Sequence, residues 1–502
     1  MDNINPIYIT FGLYIAAVLG IGLAAYFATR NFGDYILGGR RLGGFVTAMA
    51  AGASDMSGWL LMGLPGAIYL SGLSESWIAI GLCVGAYFNW RLVSGRLRIY
   101  TEVNNNALTL PDYFANRFGE NGKLLKVIAA AIILFFFTIY SASGVVAGAR
   151  LFQIVFPEMD YQTALWLGAG ATIAYTFIGG FLAVSWTDTL QASLMFFALV
   201  LTPVMVYLSL GGAAEVNIVM QQAGLADGKA YSSLVPDASM VSIIGIISAA
   251  AWGLGYFGQP HILARFMAAE SLPALVRARR VGMTWMVLCL AGAVAAGYFG
   301  IAYFRVNPDQ AAILQDNPER VFMALATILF NPWIAGVVLS AILAAVMSTL
   351  SAQLLVCSSA LTEDFYKGFL RPHASQTELV WFGRFMVLMV ALIAIWLAQD
   401  SDSRVLGLVS YAWAGFGAAF GPVIIFSLFW KRLTAMGALA GMVAGAVVVV
   451  AWKALSNSAL YEIVPGFIAC SLVLWIVSLM TTPPATVVQR FDEAEAKFKA
   501  AQ

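Results

Sequence analysis

The feature that most constrains this chain is a carboxylate inside residues 42–72, a stretch that is otherwise apolar and long enough to cross a bilayer. The acid is Asp55, which lies near the middle of the stretch. An ionised Asp at the centre of a membrane helix costs about 2.5–3.5 kcal/mol even on insertion scales, so such residues usually mark an ion or substrate path. The stretch therefore predicts a membrane helix with a functional site near its midpoint.

Small residues on both sides of Asp55 favour an interruption of this helix. Gly52 and Gly58 flank the acid, and small polar residues lie between them. Carbonyl and amide groups that local unwinding frees can line a cavity instead of facing lipid. We predict a break over residues 53–59. The alternative is an intact, tightly packed helix whose Asp forms a hydrogen bond with a neighbouring group.

Composition and charge define the broad class of protein. Of the 502 residues, 61% are hydrophobic and only 11% are charged, which excludes a soluble globular protein and indicates a polytopic membrane protein. The net charge of +1 argues against nucleic acid as a partner. The four cysteines and two histidines are scattered without metal-binding or hydrolytic spacing, so we expect no enzymatic activity and interpret the cysteines as packing residues.

Hydropathy predicts an all-α protein with about thirteen transmembrane helices, which form one transport domain over residues 1–482. Residues 483–502 are predicted to be a cytoplasmic tail that contains a charged, solvated helix. If the N-terminus is periplasmic, about 21 of the 27 Lys and Arg residues fall on the cytoplasmic side, which also places the C-terminus there. The predicted spans are residues 6–28, 43–71, 75–95, 124–150, 161–182, 190–211, 240–264, 281–304, 323–360, 380–398, 405–429, 434–454 and 461–481.

A second interruption is predicted at residues 249–261, inside the seventh span. Gly253, Gly255 and Gly258 precede Pro260 there, and glycine and proline weaken a helix. The glycines also match the spacing of a dinucleotide-binding loop, but that interpretation is weak because the run has no strand–helix context and lies inside a membrane span. The remaining alternative is a glycine face for close helix packing.

The two interrupted spans are the second and the seventh, and they lie five spans apart. An odd number of spans per repeat inverts the second copy, and paired interrupted helices in inverted repeats indicate a transporter with its site near the bilayer midplane. We predict spans 2–6 as one repeat, spans 7–11 as the other, and spans 1, 12 and 13 as accessory helices. The prediction uses topology alone, because no obvious residue-level similarity joins the halves.

Two adjacent hydroxyls in the ninth span, Ser348 and Thr349, are candidate ligands for an ion. An alkali cation in a membrane needs about five or six oxygens in place of water, and unwound carbonyls together with hydroxyls supply them without fixed charge. The alternative is that these hydroxyls form hydrogen bonds back to their own helix. Aromatic residues near the two breaks are candidates for the wall of a small pocket, or for helix packing. They are Trp59, Tyr140, Trp252 and Tyr256.

Several long motifs carry a resemblance to a known family. They are AGASDMSGWLLMGLPGA at 51–67, NNNALTLPDYF at 104–114, FIGGFLAVSWTDTLQAS at 177–193, WGLGYFGQPHILARFMA at 252–268, SAILAAVMSTLS at 340–351, RVLGLVSYAWAGFGAAFGP at 404–422 and RLTAMGALAGMVAGA at 432–446. With these motifs the chain resembles the sodium/solute symporter family over residues 11–480. The resemblance implies a leucine-transporter-like core of ten helices in two inverted repeats, which agrees with the topology.

The resemblance also implies roles for individual residues. It implies a sodium site made by the carbonyls of Ala53, Met56 and Ala345 with the side chains of Ser348 and Thr349. Asp55 is implied to couple sodium to transport through the local field and the helix geometry. The implied solute-binding residues are Ser57, Gly58, Trp59, Tyr140, Trp252, Tyr256 and Pro260. Arg40 and Asp188 are implied to be sensitive positions for transport, with no assigned role.

The function that the resemblance implies is sodium-coupled import of L-proline by alternating access across a bacterial cytoplasmic (inner) membrane. Na⁺ is then the coupling ion, and the expected partners are L-proline, sodium and the lipid bilayer, with no nucleic acid and no obligate protein partner. One alternative is a proton-coupled relative that uses Asp55 as the carrier. Another is a symporter for a different small solute, such as another amino acid, a sugar or pantothenate. A membrane enzyme or sensor is disfavoured, since a tail of about 20 residues is too short for a signalling domain.

Overall fold

The computed structural model describes residues 5–28, 35, 37, 40–315 and 317–501, which form helices joined by loops. The α-helices are α1 Pro6–Ala28, α2 Gly44–Asp55, α3 Leu64–Ser71, α4 Ser76–Phe88, α5 Ser94–Val103, α6 Leu110–Phe118, α7 Lys123–Val155, α8 Tyr161–Ser209, α9 Ala213–Asp227, α10 Met240–Ala250, α11 Pro260–Ala268, α12 Leu272–Val306, α13 Val321–Leu329, α14 Pro332–Ser359, α15 Gln376–Leu397, α16 Val405–Phe429, α17 Ala435–Leu455, α18 Ile463–Met480 and α19 Ala485–Ala500. Short π-helical and 3₁₀ turns, Trp59–Gly63, Asn89–Val93, Ala251–Gly258 and Ala360–Leu370 among them, connect several of these helices.

Within the described residues, eleven helical segments are long and apolar enough to cross a membrane. This confirms the predicted all-α polytopic membrane protein, while the number thirteen stays a prediction. One reason for the difference is that α2 has only 12 residues and is separated from α3 by a break. Another is that only Gly180–Ser209 of α8 is counted, although α8 contains two helices that meet at a kink where Gly180 has a φ of 61°.

The predicted interruption of the second span is present, and it is narrower than predicted. Helix α2 continues through Ala53 to Asp55, and Met56 then leaves helical geometry with φ −85° and ψ 83°. The Met56 amide still donates to the carbonyl of Gly52 at 2.9 Å, whereas the Ser57 amide donates to the carbonyl of Asp55 at 3.1 Å. The regular pattern of helical backbone hydrogen bonds is therefore lost over Met56 and Ser57. Asp55 lies in the last turn of α2.

The seventh span is also interrupted, as predicted. Residues Ala251–Gly258 form a 3₁₀ helix, Gln259 is extended, and α11 begins at Pro260, a residue that needs no amide partner in the first turn of a helix. The glycines serve close packing as well, because a Cβ at Gly255 would lie 1.8 Å from Nε1 of Trp413. The break and the packing face were alternatives at the sequence level, and the structure contains both.

The two interrupted spans meet at one end of the bundle. We call the end at which α1 begins the first face and the end at which α1 finishes the second face. At the second face, Leu42 pairs with Ala269 in an isolated β-bridge. The Glu270 amide donates to the Leu42 carbonyl at 3.1 Å. The entrance to α2 and the exit from α11 are thereby joined through their backbones.

The C-terminal tail forms the predicted helix, α19, but the prediction that this helix is solvated is wrong for one of its faces. Val487 and Phe491 are buried against the second face. Arg117 donates to the Val487 carbonyl at 2.9 Å, and Glu495 accepts hydrogen bonds from Arg96 and Tyr100. An apolar stripe within a charged sequence explains the docking, since such a stripe needs a partner surface.

Helix α4 packs directly on the backbone of the interrupted seventh span, so a Cβ at Gly85 would lie 2.1 Å from the Gly253 carbonyl oxygen. We expect Gly85→Ala to cost about 1–3 kcal/mol by overpacking. The midpoint of thermal unfolding of the purified protein should fall accordingly. Gly12→Ala is the control, because nothing lies within 4 Å of a Cβ at that position. Equal midpoints for the two variants would contradict the close approach of the backbones.

Candidate functional site: the junction of α2 and α14

The predicted ion-binding hydroxyls contact the end of α2. The Ser348 hydroxyl donates to the Ala53 carbonyl at 2.7 Å, and the Thr349 hydroxyl donates to the same oxygen at 3.3 Å. All three residues are buried. Ser348 also lies 3.1 Å from the Ala345 carbonyl on its own helix, so the back-bonding alternative holds in part for Ser348. The contacts from both hydroxyls to Ala53 nevertheless cross between helices.

Four of the oxygens in the predicted sodium site are thus brought together. They belong to Ala53, Ala345, Ser348 and Thr349, and Met56, the fifth predicted residue, begins the break three residues after Ala53. Oxygens of this kind, from a helix end and from hydroxyls, coordinate sodium in interrupted membrane helices. A sodium ion among them would replace the hydrogen bonds with coordination. These four oxygens fit part of the shell of about five or six that a desolvated alkali ion needs.

Asp55 is a buried acid beside this junction, two residues after Ala53. Its Oδ2 accepts a hydrogen bond from the Tyr256 hydroxyl, while its Oδ1 is buried without a hydrogen-bond partner. Among the residues that the structure describes, no Lys, Arg or His forms an ion pair with Asp55. A buried carboxylate without a cation is costly, so binding of a cation nearby is favoured.

Trp59 is the first residue of the π-helical turn that follows the break, and its contacts hold the backbone of the break in place. Its indole Nε1 donates to the Asp55 carbonyl at 3.2 Å, and its amide lies 3.3 Å from the Ser57 hydroxyl. Gly58 leaves no room for a side chain, since a Cβ there would lie 2.9 Å from the Cβ of Ala147. The chain re-enters a helix at Trp59, and the N-terminus of a helix favours anionic groups.

Aromatic rings surround Trp252 on the first-face side of the break. Its ring centroid lies 6.2 Å from Trp59, 6.2 Å from Trp413 and 5.6 Å from Tyr461. Tyr256 packs edge-on against Trp413 at 5.2 Å. Trp413 and Tyr461 were missed by sequence reasoning. Trp413 lies in the 404–422 motif, and its spacing on an apolar helix gives no sign that it reaches the seventh span.

The remaining predicted solute-binding residues divide between two positions. Tyr140, on α7, lies close to Ser57 and Trp59. Pro260 does not join the aromatic wall. It lines a small cavity of about 30 Å³ toward the second face, together with His261 and other residues. The ring centroids of Tyr140 and His261 are 6.0 Å apart, so this cavity lies next to the predicted site.

A much larger cavity, of about 550 Å³, opens toward the first face. Trp252 and Tyr461 contribute to its lining, which places the aromatic wall at its inner end. At the second face, by contrast, the Arg40 side chain donates to four acceptors. They are Asn106 Oδ1 at 2.7 Å, Thr101 Oγ1 at 3.3 Å, the Ala107 carbonyl at 2.7 Å and the Met267 carbonyl at 2.6 Å. Burial, with the nearby Arg98 charge, lowers the pKa of Arg40 to about 10, so this guanidinium stays charged at neutral pH.

Asp188, the other position predicted to be sensitive for transport, forms a buried ion pair. Its Oδ2 lies 3.0 Å from Nη2 of Arg265, and both side chains are almost fully buried. Ser54, on α2, joins the pair, because its hydroxyl lies 2.8 Å from Arg265 Nη2 and 3.4 Å from Asp188 Oδ2. Sequence reasoning missed Arg265, which falls one residue beyond the predicted end of the seventh span. A search for charges near span ends that could pair with Asp188 would have found it.

Comparison with known proteins decides the family. A model of the sodium:solute symporter family matches residues 35–445. The chain belongs to the sodium:solute symporter family. Within this family it is similar to a sodium/proline symporter of Haemophilus influenzae, with 62% identity over the full length of both chains. A sodium/proline symporter of Escherichia coli is 63% identical and is aligned over 99% of this chain and 98% of its own. A high-affinity proline transporter of Bacillus subtilis is 51% identical, over 94% and 97% of the two chains.

Solved structures show the fold of this family member. A Na⁺-coupled sialic acid symporter in a substrate-bound outward-open state matches with a TM-score of 0.80 at 19% identity, over 95% of this chain and 98% of the other. A transporter of the nucleobase-cation-symport-1 family in a closed conformation matches with a TM-score of 0.53 at 13% identity, over 91% and 98% of the two chains. These matches confirm the predicted leucine-transporter-like architecture. The division into repeats of five spans stays a prediction.

The Arg265–Asp188 pair generates a prediction about stability. Arg265→Gln should lower the free energy of unfolding by about 3–5 kcal/mol, since Asp188 would keep a buried charge without a partner. Arg265→Gln combined with Asp188→Asn should recover more than half of that loss. Chemical denaturation of the purified variants measures both effects. The control is Lys431→Gln, which removes the exposed pair with Asp492. A single Arg265 variant as stable as the control would exclude a stabilising role for the pair.

Proposed function

We propose that this family member imports L-proline together with sodium by alternating access, with Na⁺ as the coupling ion. The observation that carries the proposal is the junction of α2 and α14. There, four oxygens converge beside Asp55, whose buried carboxyl forms no ion pair with any described residue. The full-length similarity to sodium/proline symporters at 62–64% identity supports proline as the solute.

Sodium is proposed to bind first. Its coordination by the carbonyls of Ala53, Met56 and Ala345 and by the hydroxyls of Ser348 and Thr349 replaces the hydrogen bonds between the helices. The ion also compensates the charge of Asp55, which the Tyr256 hydroxyl holds in place through a hydrogen bond. Coordination from both sides of the junction restrains the unwound backbone at Met56. Sodium binding is thereby coupled to the shape of the neighbouring solute site.

L-Proline is proposed to bind beside the break in its zwitterionic form. Its carboxylate lies at the N-terminus of the helix that resumes at Trp59, where partial positive charge favours an anion. Its apolar ring packs against the rings of Trp59, Tyr140 and Trp252. Its ammonium group is attracted by the faces of these rings and by the Asp55 charge. The solute thus contacts both interrupted spans.

Access is proposed to alternate between the two faces. The first face is assigned to the periplasm and the second face to the cytoplasm, which places the N-terminus outside and the C-terminal tail inside, in agreement with the positive-inside rule. The cavity of about 550 Å³ is then the outer entrance to the site. The four hydrogen bonds of Arg40 and the docked helix α19 hold the cytoplasmic end closed. Opening inward parts α14 from α2 and releases the ion.

The driving force is sufficient for accumulation. One charge that crosses a potential of about 100 mV releases roughly 2.3 kcal/mol, and a tenfold sodium gradient adds about 1.4 kcal/mol. The sum of about 3.7 kcal/mol supports a several-hundredfold concentration of a zwitterion at one sodium ion per solute. No second energy source is required.

Removal of the hydroxyls tests the coupling ion. Ser348→Ala with Thr349→Ala should raise the sodium concentration for half-maximal proline uptake at least tenfold, because two oxygen ligands are lost. Uptake into proteoliposomes with imposed sodium gradients measures this. Ser340→Ala is the matched control, since Ser340 is buried in the same helix and its hydroxyl donates only to the Gly336 carbonyl in the structure. Uptake that follows a proton gradient and ignores sodium in the unmodified protein would instead support proton coupling.

Replacement of an aromatic residue tests the solute site separately from the ion site. Trp252→Leu should raise the KM for L-proline about tenfold through loss of ring packing, with the sodium dependence unchanged. Trp475→Leu is the control, because Trp475 is 47% exposed on the surface of the bundle. Labelled proline uptake with unlabelled amino acids, sugars and pantothenate as competitors identifies the solute. Stronger competition by one of these than by unlabelled proline would contradict the assignment to proline.

A further inference from the structure

A cavity outside the transport site lies at the edge of the second face, where the fourth helix ends and α12 begins. Its volume is about 440 Å³. We call it the basic groove, and its defining residues are Arg91, Arg277, Arg279, Trp90, Leu272 and Phe498. These residues come from the turn after α4, from the first turns of α12 and from the end of α19. Neither the ion site nor the solute site uses them.

The charge of the basic groove is unbalanced. Its described lining contains three arginines and no Asp or Glu. Among the described residues, Arg91 and Arg279 form no ion pair, and the contact of Arg277 with Glu270 is long, at 3.8 Å between exposed side chains. Three guanidinium groups around one cavity repel one another unless an anion lies between them. The groove therefore favours a ligand with concentrated negative charge, and arginine is well suited to phosphate.

The rest of the lining is apolar and continues onto the outer surface of the bundle. Leu92 and Val276 line the groove and are 44% and 43% exposed, respectively. Large apolar side chains at the surface of a membrane-spanning helix face hydrocarbon. Phe88, one turn before the groove, is similarly exposed at 46%. The groove thus has charged side chains on one side and apolar side chains on the other. These two sides match the charged headgroup and the acyl chains of a phospholipid.

We propose that the basic groove binds an anionic phospholipid of the surrounding bilayer, with the headgroup phosphate at Arg91, Arg277 and Arg279. The first turn of α12 adds to the attraction, because a helix N-terminus carries partial positive charge. A free phosphate ion would use the arginines but would leave the apolar side of the groove unfilled. A phospholipid fills both sides.

The bound lipid joins three parts of the protein that are distant in sequence. Phe498 of α19 lies against Gly95, since a Cβ there would be 3.2 Å from its ring, and both residues line the groove. Leu272 begins α12 and lies on the same side of Gly95. An anionic lipid between these elements therefore stabilises the docked position of the tail helix. Lipid binding and tail docking should be linked.

Lipid retention by the purified full-length protein tests this proposal. The probes are phosphatidylglycerol and phosphatidylcholine, added separately to delipidated protein, and native mass spectrometry counts the lipids retained. Wild type should retain phosphatidylglycerol in clear preference to phosphatidylcholine. Arg91→Gln combined with Arg279→Gln should weaken phosphatidylglycerol binding about 30-fold, at roughly fivefold per arginine. Arg280→Gln is the matched control, since Arg280 is exposed next to Arg279 and does not line the groove.

Further variants and a competition experiment distinguish a bound phospholipid from a bound phosphate ion and exclude misfolding of the variants. Arg91→Lys with Arg279→Lys should keep most of the binding because the charge is retained, and a normal thermal midpoint for each variant confirms that it is folded. Inorganic phosphate at millimolar concentration should fail to displace the lipid. Equal retention of both lipids by wild type would overturn the proposal. So would equal phosphatidylglycerol binding by the double glutamine variant and Arg280→Gln, or complete displacement by inorganic phosphate.

Discussion

A backbone carbonyl in the interior of a membrane protein must find a partner, and the carbonyl of Ala53 finds two on a different helix. The break at Met56 removes the helical partners that would otherwise satisfy the last turn of α2. Ser348 and Thr349 supply the replacement. The hydrogen bonds that close this helix end therefore hold together the junction at which sodium is proposed to bind. Fold stability and the proposed ion coupling depend on the same oxygens.

The interrupted seventh span completes the site by close backbone packing. Gly85 of α4 and Trp413 of α16 both pack against its glycines at distances that exclude a side chain. This brings the Tyr256 hydroxyl to Asp55 and the Trp252 ring to Trp59. On the second-face side of the break, the buried ion pair of Arg265 and Asp188 connects α11 to α8. Ser54 connects this pair to α2 through hydrogen bonds. Movement of α2 therefore perturbs the ion junction and this pair together, which gives a physical reason for the sensitivity predicted at position 188.

Sequence patterns predicted the parts of this fold that local chemistry controls. The cost of Asp55 in lipid, with glycines around it, predicted the break, and glycines before Pro260 predicted the second break. The patterns could not predict which residues, distant in sequence, contact one another in the fold. Arg265 was not connected with Asp188. Trp413 was not placed in the aromatic wall because its apolar helix gives no period that identifies a neighbour, and Tyr461 lies in the loop just before α18. The tail was predicted as a solvated helix because its charges dominate its composition. The few apolar residues Val487, Phe491 and Ala494 decide its docking.

The central claim is that sodium binds between the end of α2 and the hydroxyls of α14. Hydrogen–deuterium exchange of the purified protein tests it most directly, with sodium compared against potassium at equal ionic strength and without solute. Coordination should restrain the unwound backbone, so peptides that cover residues 53–62 and 340–352 should exchange more slowly in sodium, while peptides from the tail helix α19 should not change. Identical exchange of the first two peptides in sodium and in potassium, at sodium concentrations that saturate uptake, would contradict the claim.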